Sequence, residues 1–106
     1  MPFHEVRDFE TREQFPGFHG RFIHTERVTV VYWEVEAGAN LPEHSHEHEQ
    51  ISNLLEGEFA MSIDGTTRTL TAGSVAVVPT AAVHSGRSVT KCRFIDVFQP
   101  ARDDYR

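Results

Sequence analysis

The sequence predicts an all-β protein, built as a sandwich or barrel of short strands. Apolar and polar residues alternate with a period of two, in runs rich in β-branched and aromatic side chains. Glycine, proline and Asx residues end these runs at short intervals, as turns between neighbouring strands require. We find no stretch with the apolar spacing of an amphipathic helix. Together these observations indicate a sheet-only architecture.

Seven strands follow one another along the chain. We predict them at residues 28–36, 50–55, 58–64, 66–71, 74–78, 83–85 and 91–98. Asp64-Gly65 is a strong signal for a tight hairpin between the third and fourth of these strands. Pro79 and Pro100 close the fifth and the seventh. Ser85-Gly86-Arg87 is predicted to be a further turn, which keeps the sixth strand short.

The N-terminal segment differs from the rest of the chain. Its first twenty residues show no clear period and are interrupted at Pro16-Gly17. They carry four phenylalanines, which we expect to pack on a barrel face or on a partner subunit: Phe3, Phe9, Phe15 and Phe18. We therefore expect one domain over residues 1–106, with a core of about 24–100 and an irregular packing segment over 1–20.

Composition and charge exclude several classes of function. A hydrophobic fraction of 39% with 10% aromatic residues fits a folded globular chain, and no apolar run approaches the about 20 residues of a membrane span. The net charge of −6 argues against nucleic acid or an anionic membrane as a partner. A small anion is still compatible with this charge, because a bound cation and a few arginines can make a site locally positive.

The N-terminus and the single cysteine indicate the compartment. The first residues lack the basic and apolar regions of a secretory signal. Cys92 cannot form an internal disulfide, which is consistent with a reducing environment. We expect a cytoplasmic protein, in which Cys92 is a small buried hydrophobic residue.

A histidine cluster is the strongest chemical signal. Three of the seven histidines, His44, His46 and His48, lie within five residues, and His84 follows shortly after Pro79. Imidazole is the commonest ligand for divalent transition metals, and residues i and i+2 of a strand share a face. The pattern predicts one bound divalent ion, with Zn, Ni, Mn and Fe all compatible with the ligand types. The competing interpretation is a solvated, histidine-rich loop.

The spacing of these residues resembles the two conserved motifs of the cupin family. The first motif matches Gly38, His44, His46, Gln50 and Gly57, and the second matches Gly73, Pro79 and His84. The resemblance implies a cupin β-barrel (jelly roll) that holds a metal on His44, His46, Gln50 and His84. Two positions depart from the family pattern, since Gln50 replaces the usual Glu and Ala81 replaces a common Gly. The pattern also skips His48, which requires a bend between His46 and Gln50.

The segments 55–59 and 96–105 resemble, more narrowly, the KdgF-type cupins, which ketonise the unsaturated uronates released by pectin and alginate lyases. The resemblance implies that Asp96 is the catalytic acid/base and that Phe98 and Arg102 contact the substrate. These roles are chemically reasonable, because a carboxyl group can carry the proton of an enol-to-keto conversion. A guanidinium can bind a uronate carboxylate. The expected ligand is therefore a small anionic molecule such as a uronate, and the expected assembly is a homodimer.

Alternatives exist for these residues and for the whole protein. Asp96 would be an ordinary surface acid if its face of the last strand pointed outwards, because Ile95 and Val97 make the other face apolar too. Independently, Arg102 follows Pro100 near the terminus and could belong to a solvated tail or a dimer contact. The protein as a whole could be a cupin that binds a metal or small molecule without turnover, or another cupin enzyme, such as an isomerase, a polyketide cyclase or a dioxygenase.

Overall fold

The computed structural model describes residues 2–106 and contains two antiparallel β-sheets with a shared core between them. Ten strands form the sheets: β1 (Arg12–Phe15), β2 (Phe18–His24), β3 (Thr29–Val35), β4 (Asn40–His44), β5 (Glu49–Glu56), β6 (Glu58–Ile63), β7 (Thr66–Thr71), β8 (Val75–Val78), β9 (His84–Ser88) and β10 (Cys92–Gln99). The helical residues are two single 3-10 turns, Val6–Asp8 and Asp103–Tyr105. The predicted all-β fold is confirmed.

The two sheets have different sizes and strand orders. The larger sheet has the order β1-β2-β3-β10-β5-β8, and the smaller has the order β4-β9-β6-β7. Along β10 every second residue is buried, beginning with Cys92 and ending with Phe98. Burial also alternates along β3 and β5. The period of two in the sequence therefore separates an inner face, which forms the core, from an outer one. Within residues 2–106 no helix is long and apolar enough to cross a membrane.

The N-terminal segment is more regular than we expected. Strands β1 and β2 pair as a hairpin, and the predicted break at Pro16-Gly17 is the turn that joins them. Phe15 and Phe18 flank this turn and point into the core, where both rings contact Trp33. The sequence pattern of this segment is weak because aromatic packing, rather than strict alternation, stabilises the hairpin.

The predicted turn at Ser85-Gly86-Arg87 is wrong. These residues lie inside β9, and Gly86 pairs with Leu41 on one side and Met61 on the other. Glycine is required here for space, because a Cβ atom at Gly86 would lie 2.2 Å from Cε1 of the buried Phe59 ring. A glycine inside a strand therefore marks a close approach between an aromatic ring and the backbone rather than a chain reversal.

Substitution of Gly86 by alanine tests this packing. Gly86→Ala is expected to lower the free energy of unfolding by about 1–3 kcal/mol, because the Phe59 ring is held by its neighbours and cannot move aside. Thermal unfolding followed by circular dichroism measures the loss. Ser85→Ala, on the same strand, is the matched control and should unfold close to the wild type. Equal melting temperatures for Gly86→Ala and the wild type would contradict this account of the glycine.

Candidate metal centre and cavity

Three histidines converge at one end of the space between the sheets. His44 ends β4, His84 begins β9, and these two residues are direct cross-strand partners. His46 lies just after β4, with its ring centroid 4.9 Å from that of His84. Each of the three offers a ring nitrogen, and these nitrogens all lie within 4.8 Å of one another. The cluster is therefore compact enough to share one metal ion, and the interpretation as a solvated loop does not describe it.

Backbone carbonyls determine which ring nitrogen of each histidine is free. The Nδ1–H groups of His44, His46 and His84 donate to the carbonyls of Pro42 (2.8 Å), His48 (3.0 Å) and Ala82 (3.0 Å), respectively. A carbonyl only accepts hydrogen bonds, so Nδ1 must carry the proton in all three rings. A neutral ring that is protonated at Nδ1 carries its lone pair on Nε2. Such outer hydrogen bonds are typical of metal-binding histidines, whose tautomer and ring orientation they set.

His84 shows the strongest requirement for a cation. Its side chain is buried, and its Nε2 atom has no hydrogen-bond partner. Burial lowers the pKa of His84 to about 4, against the hydrogen bond to Ala82. Burial and the Arg102 charge also lower the pKa of His46. Both rings are therefore neutral near neutral pH, as a metal ligand must be.

Gln50 places a side-chain amide oxygen beside the histidine cluster. Its amide nitrogen donates to Ser52 Oγ at 2.9 Å and to Asp96 Oδ2 at 3.3 Å. Its Oε1 atom therefore points the other way and lies 3.1 Å from His46 Nε2. Since Nε2 of neutral His46 also carries a lone pair, two acceptors face each other there, and a cation between them would satisfy both. The donor set thus fits a divalent ion held by His44, His46, Gln50 and His84.

His48 lies outside this group. The chain bends at Glu47 and His48, between β4 and β5, as the family pattern requires. The His48 side chain instead lines a separate groove, together with Glu26, Glu47, Pro100, Ala101, Asp103 and Asp104. The His48 ring centroid lies 5.5 Å from that of His46, but because of the bend His48 offers no ring nitrogen to the group formed by His44, His46 and His84.

The turn before His84 explains why glycine is common in the family at the position of Ala81. Ala81 has φ +63°, in the left-handed region that favours glycine. Its N–H donates to the carbonyl of His46 at 2.8 Å. This hydrogen bond links the segments that carry His46 and His84, so the strain of a left-handed alanine accompanies a contact that fixes the cluster.

Asp96 faces the interior, so it is not an ordinary surface acid. It is buried on β10, and Oδ2 accepts hydrogen bonds from Trp33 Nε1 at 3.1 Å and from Gln50. Its Oδ1 atom is buried without a partner. Burial raises the pKa of Asp96 to about 7, although hydrogen bonds from Ser52 and Trp33 and the Arg102 charge lower it. A carboxyl group with one free oxygen and such a pKa can both take up and release a proton near neutral pH.

Phe98 and Arg102 lie in the same cavity as Asp96, rather than in a solvated tail. Phe98 is two residues after Asp96, and its ring contacts that of His46 at 5.9 Å. Arg102 is buried, and its backbone N–H donates to Thr29 Oγ1 at 2.8 Å. The guanidinium lies 4.8 Å from the Phe98 ring centroid and 4.0 Å from that of Tyr105. The structure thus brings both predicted substrate-contacting residues to the Asp96 cavity.

Apolar and aromatic side chains form most of the cavity lining, and polar side chains are fewer. Including the solvent at its mouth, it measures about 480 Å³. Its lining includes Trp33, His44, Gln50, Asp96, Phe98 and Arg102. Sequence analysis did not identify Ser52 and Tyr105, which line the cavity, or Asp104, which binds the guanidinium of Arg102. Ser52 shares the strand face of Gln50, a signal that could have identified it, whereas Asp104 and Tyr105 follow Arg102 in a segment without a period.

Comparison with known proteins shows the same architecture elsewhere. A family model described as "Cupin domain" matches residues 31–98. An RmlC-like cupin from Shewanella frigidimarina superposes with a TM-score of 0.94 at 30% identity, over 100% of this chain and 96% of that one. KdgF from Halomonas sp. superposes with a TM-score of 0.92 at 28% identity, over 100% and 99%. Variants of Bacillus subtilis oxalate decarboxylase share the fold alone, with a TM-score of 0.80 for one at 18% identity, over 92% of this chain and 29% of that one.

Removal of a metal ligand tests the centre. His44→Ala should abolish binding of one divalent ion per chain, because one of four converging donors is lost. EDTA should lower the melting temperature of the wild type but not of this variant, since an ion at about 100 times its Kd stabilises the fold by about 2.7 kcal/mol. His4→Ala is the control, because His4 is exposed and lies outside both groups of side chains that could hold an ion. Full metal content in His44→Ala would contradict the assignment.

Proposed function

Because the chain belongs to the cupin family, we propose that it is a metal-dependent enzyme that converts an enol to a ketone, acting on an unsaturated uronate or a related sugar acid. One observation carries the proposal. A compact cluster of three imidazoles adjoins a cavity that is lined by His44, by Asp96 with its unpartnered Oδ1, and by Arg102. A binding module would need no buried carboxyl group with a free oxygen between a metal cluster and an arginine.

Arg102 and Phe98 bind and orient the substrate in this proposal. The guanidinium forms a charge-assisted pair with the uronate carboxylate. Burial among aromatic rings strengthens this pair, because little water competes for it. The Phe98 ring covers one face of the sugar, so that the reacting carbon is directed towards Asp96.

Asp96 moves the proton. An enol becomes a ketone when it loses the proton on oxygen and gains one on carbon, and Oδ1 of Asp96 is the free oxygen that can exchange it. Trp33 and Gln50 hold Oδ2, so the orientation of the carboxyl group is set before substrate binds. A divalent ion held by His44, His46, Gln50 and His84 would supply Lewis acidity for the substrate's oxygen atoms.

The comparison with KdgF from Halomonas sp. supports this choice among cupin activities. The similarity extends over the full length of this chain and includes the segment after β10. That segment carries Phe98 and Arg102, which have no role in the metal cluster. The activity implied by the resemblance to KdgF-type cupins therefore accounts for residues that metal binding alone leaves unexplained.

The direct test is an assay with 4,5-unsaturated galacturonate. Metal-loaded protein is expected to accelerate the loss of the enol absorbance relative to the uncatalysed reaction. A metal-loaded protein that binds the sugar acid without accelerating this loss would be a binding module, and the proposal would be rejected.

Asp96→Asn separates proton transfer from metal binding. The amide cannot carry the proton, so the turnover rate is expected to fall by at least 100-fold, in the range typical for loss of a general acid/base. Metal content should be unchanged, because Gln50 and the three imidazoles are retained. Metal analysis and the absorbance assay on the same samples measure both. Equal turnover rates for variant and wild type would remove Asp96 from the mechanism.

We further propose a cytoplasmic homodimer. The outer face of the larger sheet presents an apolar row across five paired strands: Ile23, Val30, Val97, Ile51 and Val77. Ile51 is 43% and Val77 63% exposed. A sheet with one face on the core normally has a polar outer face, and a second copy of the chain would bury this continuous, self-complementary row.

A charge placed in this row tests the dimer. Val77→Lys should produce monomers in analytical ultracentrifugation, because the interface would bury an unpaired ammonium group. Val89→Lys is the control, since Val89 is similarly exposed but lies between β9 and β10. A monomeric wild type would reject the dimer, and a dimeric Val77→Lys would reject this face as its interface.

A further inference from the structure

Asp104 makes the closest polar contacts of the Arg102 guanidinium. Its Oδ1 accepts from Nε at 3.1 Å and its Oδ2 accepts from Nη2 at 2.8 Å, which makes the pair bidentate. Asp104 itself does not line the cavity but borders the groove that contains His48. It therefore holds Arg102 from behind, from a position where it does not contact a molecule in the cavity.

Two kinds of contact fix the guanidinium. The rings of Phe98 and Tyr105 both lie against it, which limits the tilt of its plane. Rotation within that plane is limited by Asp104, since a bidentate pair allows one orientation of the fork. Because Asp104 occupies the edge formed by Nε and Nη2, the edge that contains Nη1 is the one that can bind a carboxylate.

From this arrangement, and on the basis of the function proposed above, we infer that Asp104 is a positioning residue that sets the specificity of the cavity for a carboxylate. It presents the Nη1 edge of Arg102 to the carboxylate of a hexuronate. Asp104 contributes to substrate binding and has no part in proton transfer, which belongs to Asp96.

Removal of the Asp104 carboxylate would weaken substrate binding if Asp104 mainly orients Arg102. It would strengthen binding if Asp104 mainly competes with the substrate for Arg102. Asp104 could also compete with the substrate for the positive charge of Arg102. Its side chain is 56% exposed, against 7% for Arg102, so solvent screens its charge while the hydrogen-bond geometry persists. The hydrogen bond from Arg102 lowers the pKa of Asp104, which keeps the carboxylate ionised near neutral pH. Orientation is therefore the larger effect, and removal of the carboxylate should weaken binding.

The experiment compares three variants with the wild type in full-length, metal-loaded protein. Asp104→Asn should raise KM for 4,5-unsaturated galacturonate about 10-fold and change kcat less than twofold. Asp104→Glu, which restores the charge, should recover part of this loss. Asp103→Asn is the matched control, because it removes an equal charge one residue away that pairs with Arg106 instead. Circular dichroism melts establish that each variant is folded.

A binding measurement on the same proteins does not depend on turnover. Trp33 is the sole tryptophan and lines the cavity, so its fluorescence reports ligand binding. The wild type should bind D-galacturonate and discriminate against neutral D-galactose. Asp104→Asn should weaken galacturonate binding about 10-fold and lose most of this discrimination.

The outcomes separate this inference from the proposed function. Binding that weakens in Asp104→Asn, in a wild type that does not turn over substrate, would support the role of Asp104 and reject the ketonising activity. An unchanged or lower KM in Asp104→Asn, in an active wild type, would reject the role of Asp104 alone. A wild type that does not distinguish galacturonate from galactose would overturn the inference, since no carboxylate would then be recognised.

Discussion

The rest of the site depends on the contacts that the side-chain amide of Gln50 makes with His46 and Asp96. Its oxygen faces the histidine cluster and its nitrogen donates to Asp96, so one side chain joins the histidines to the proposed proton carrier. That this residue is a glutamine matters both for the histidine cluster and for Asp96. A glutamate in this place would set two carboxyl groups against each other, and one of them would have to keep a proton. The amide instead donates to Asp96 and leaves a neutral oxygen for the ion, which accounts physically for the departure from the usual family pattern.

The register between β5 and β10 makes these contacts possible. Gln50 on β5 pairs with Phe98 on β10, and Ser52 pairs with Asp96, so polar side chains that are distant in sequence share one inner face. Burying them would be costly if their hydrogen bonds were not made. Among the described residues, three buried side-chain atoms have no partner: Oδ1 of Asp96, Nε2 of His84 and Nδ1 of His48. The proposed chemistry uses the first two, which favours a functional site over imperfect packing at these positions.

Sequence analysis predicted the repeating parts of this arrangement and missed the parts determined by tertiary contacts. Alternation located β3, β10 and the strands from β5 to β8, and motif spacing brought His44, His46, Gln50 and His84 together. The orientation of Asp96 could not be predicted, because Ile95 and Val97 make both faces of β10 apolar. Gly86 was predicted to lie in a turn, because the sequence does not show why glycine is needed there. The Phe59 ring, which leaves no space for a Cβ atom, lies on another strand. No sequence pattern pointed to Asp104, because its proposed role depends on a contact with the side chain of Arg102. Both residues lie in a segment whose sequence has no period.

The most direct test of the central claim is the identity and position of the metal in protein purified without a histidine tag. Elemental analysis combined with anomalous diffraction should find one divalent ion per chain, bound by the Nε2 atoms of His44, His46 and His84 and by Oε1 of Gln50. Metal-free protein whose melting temperature does not respond to added divalent ions would contradict the account. An ion bound without Gln50 would also contradict it, because the link between the metal cluster and Asp96 would then be absent.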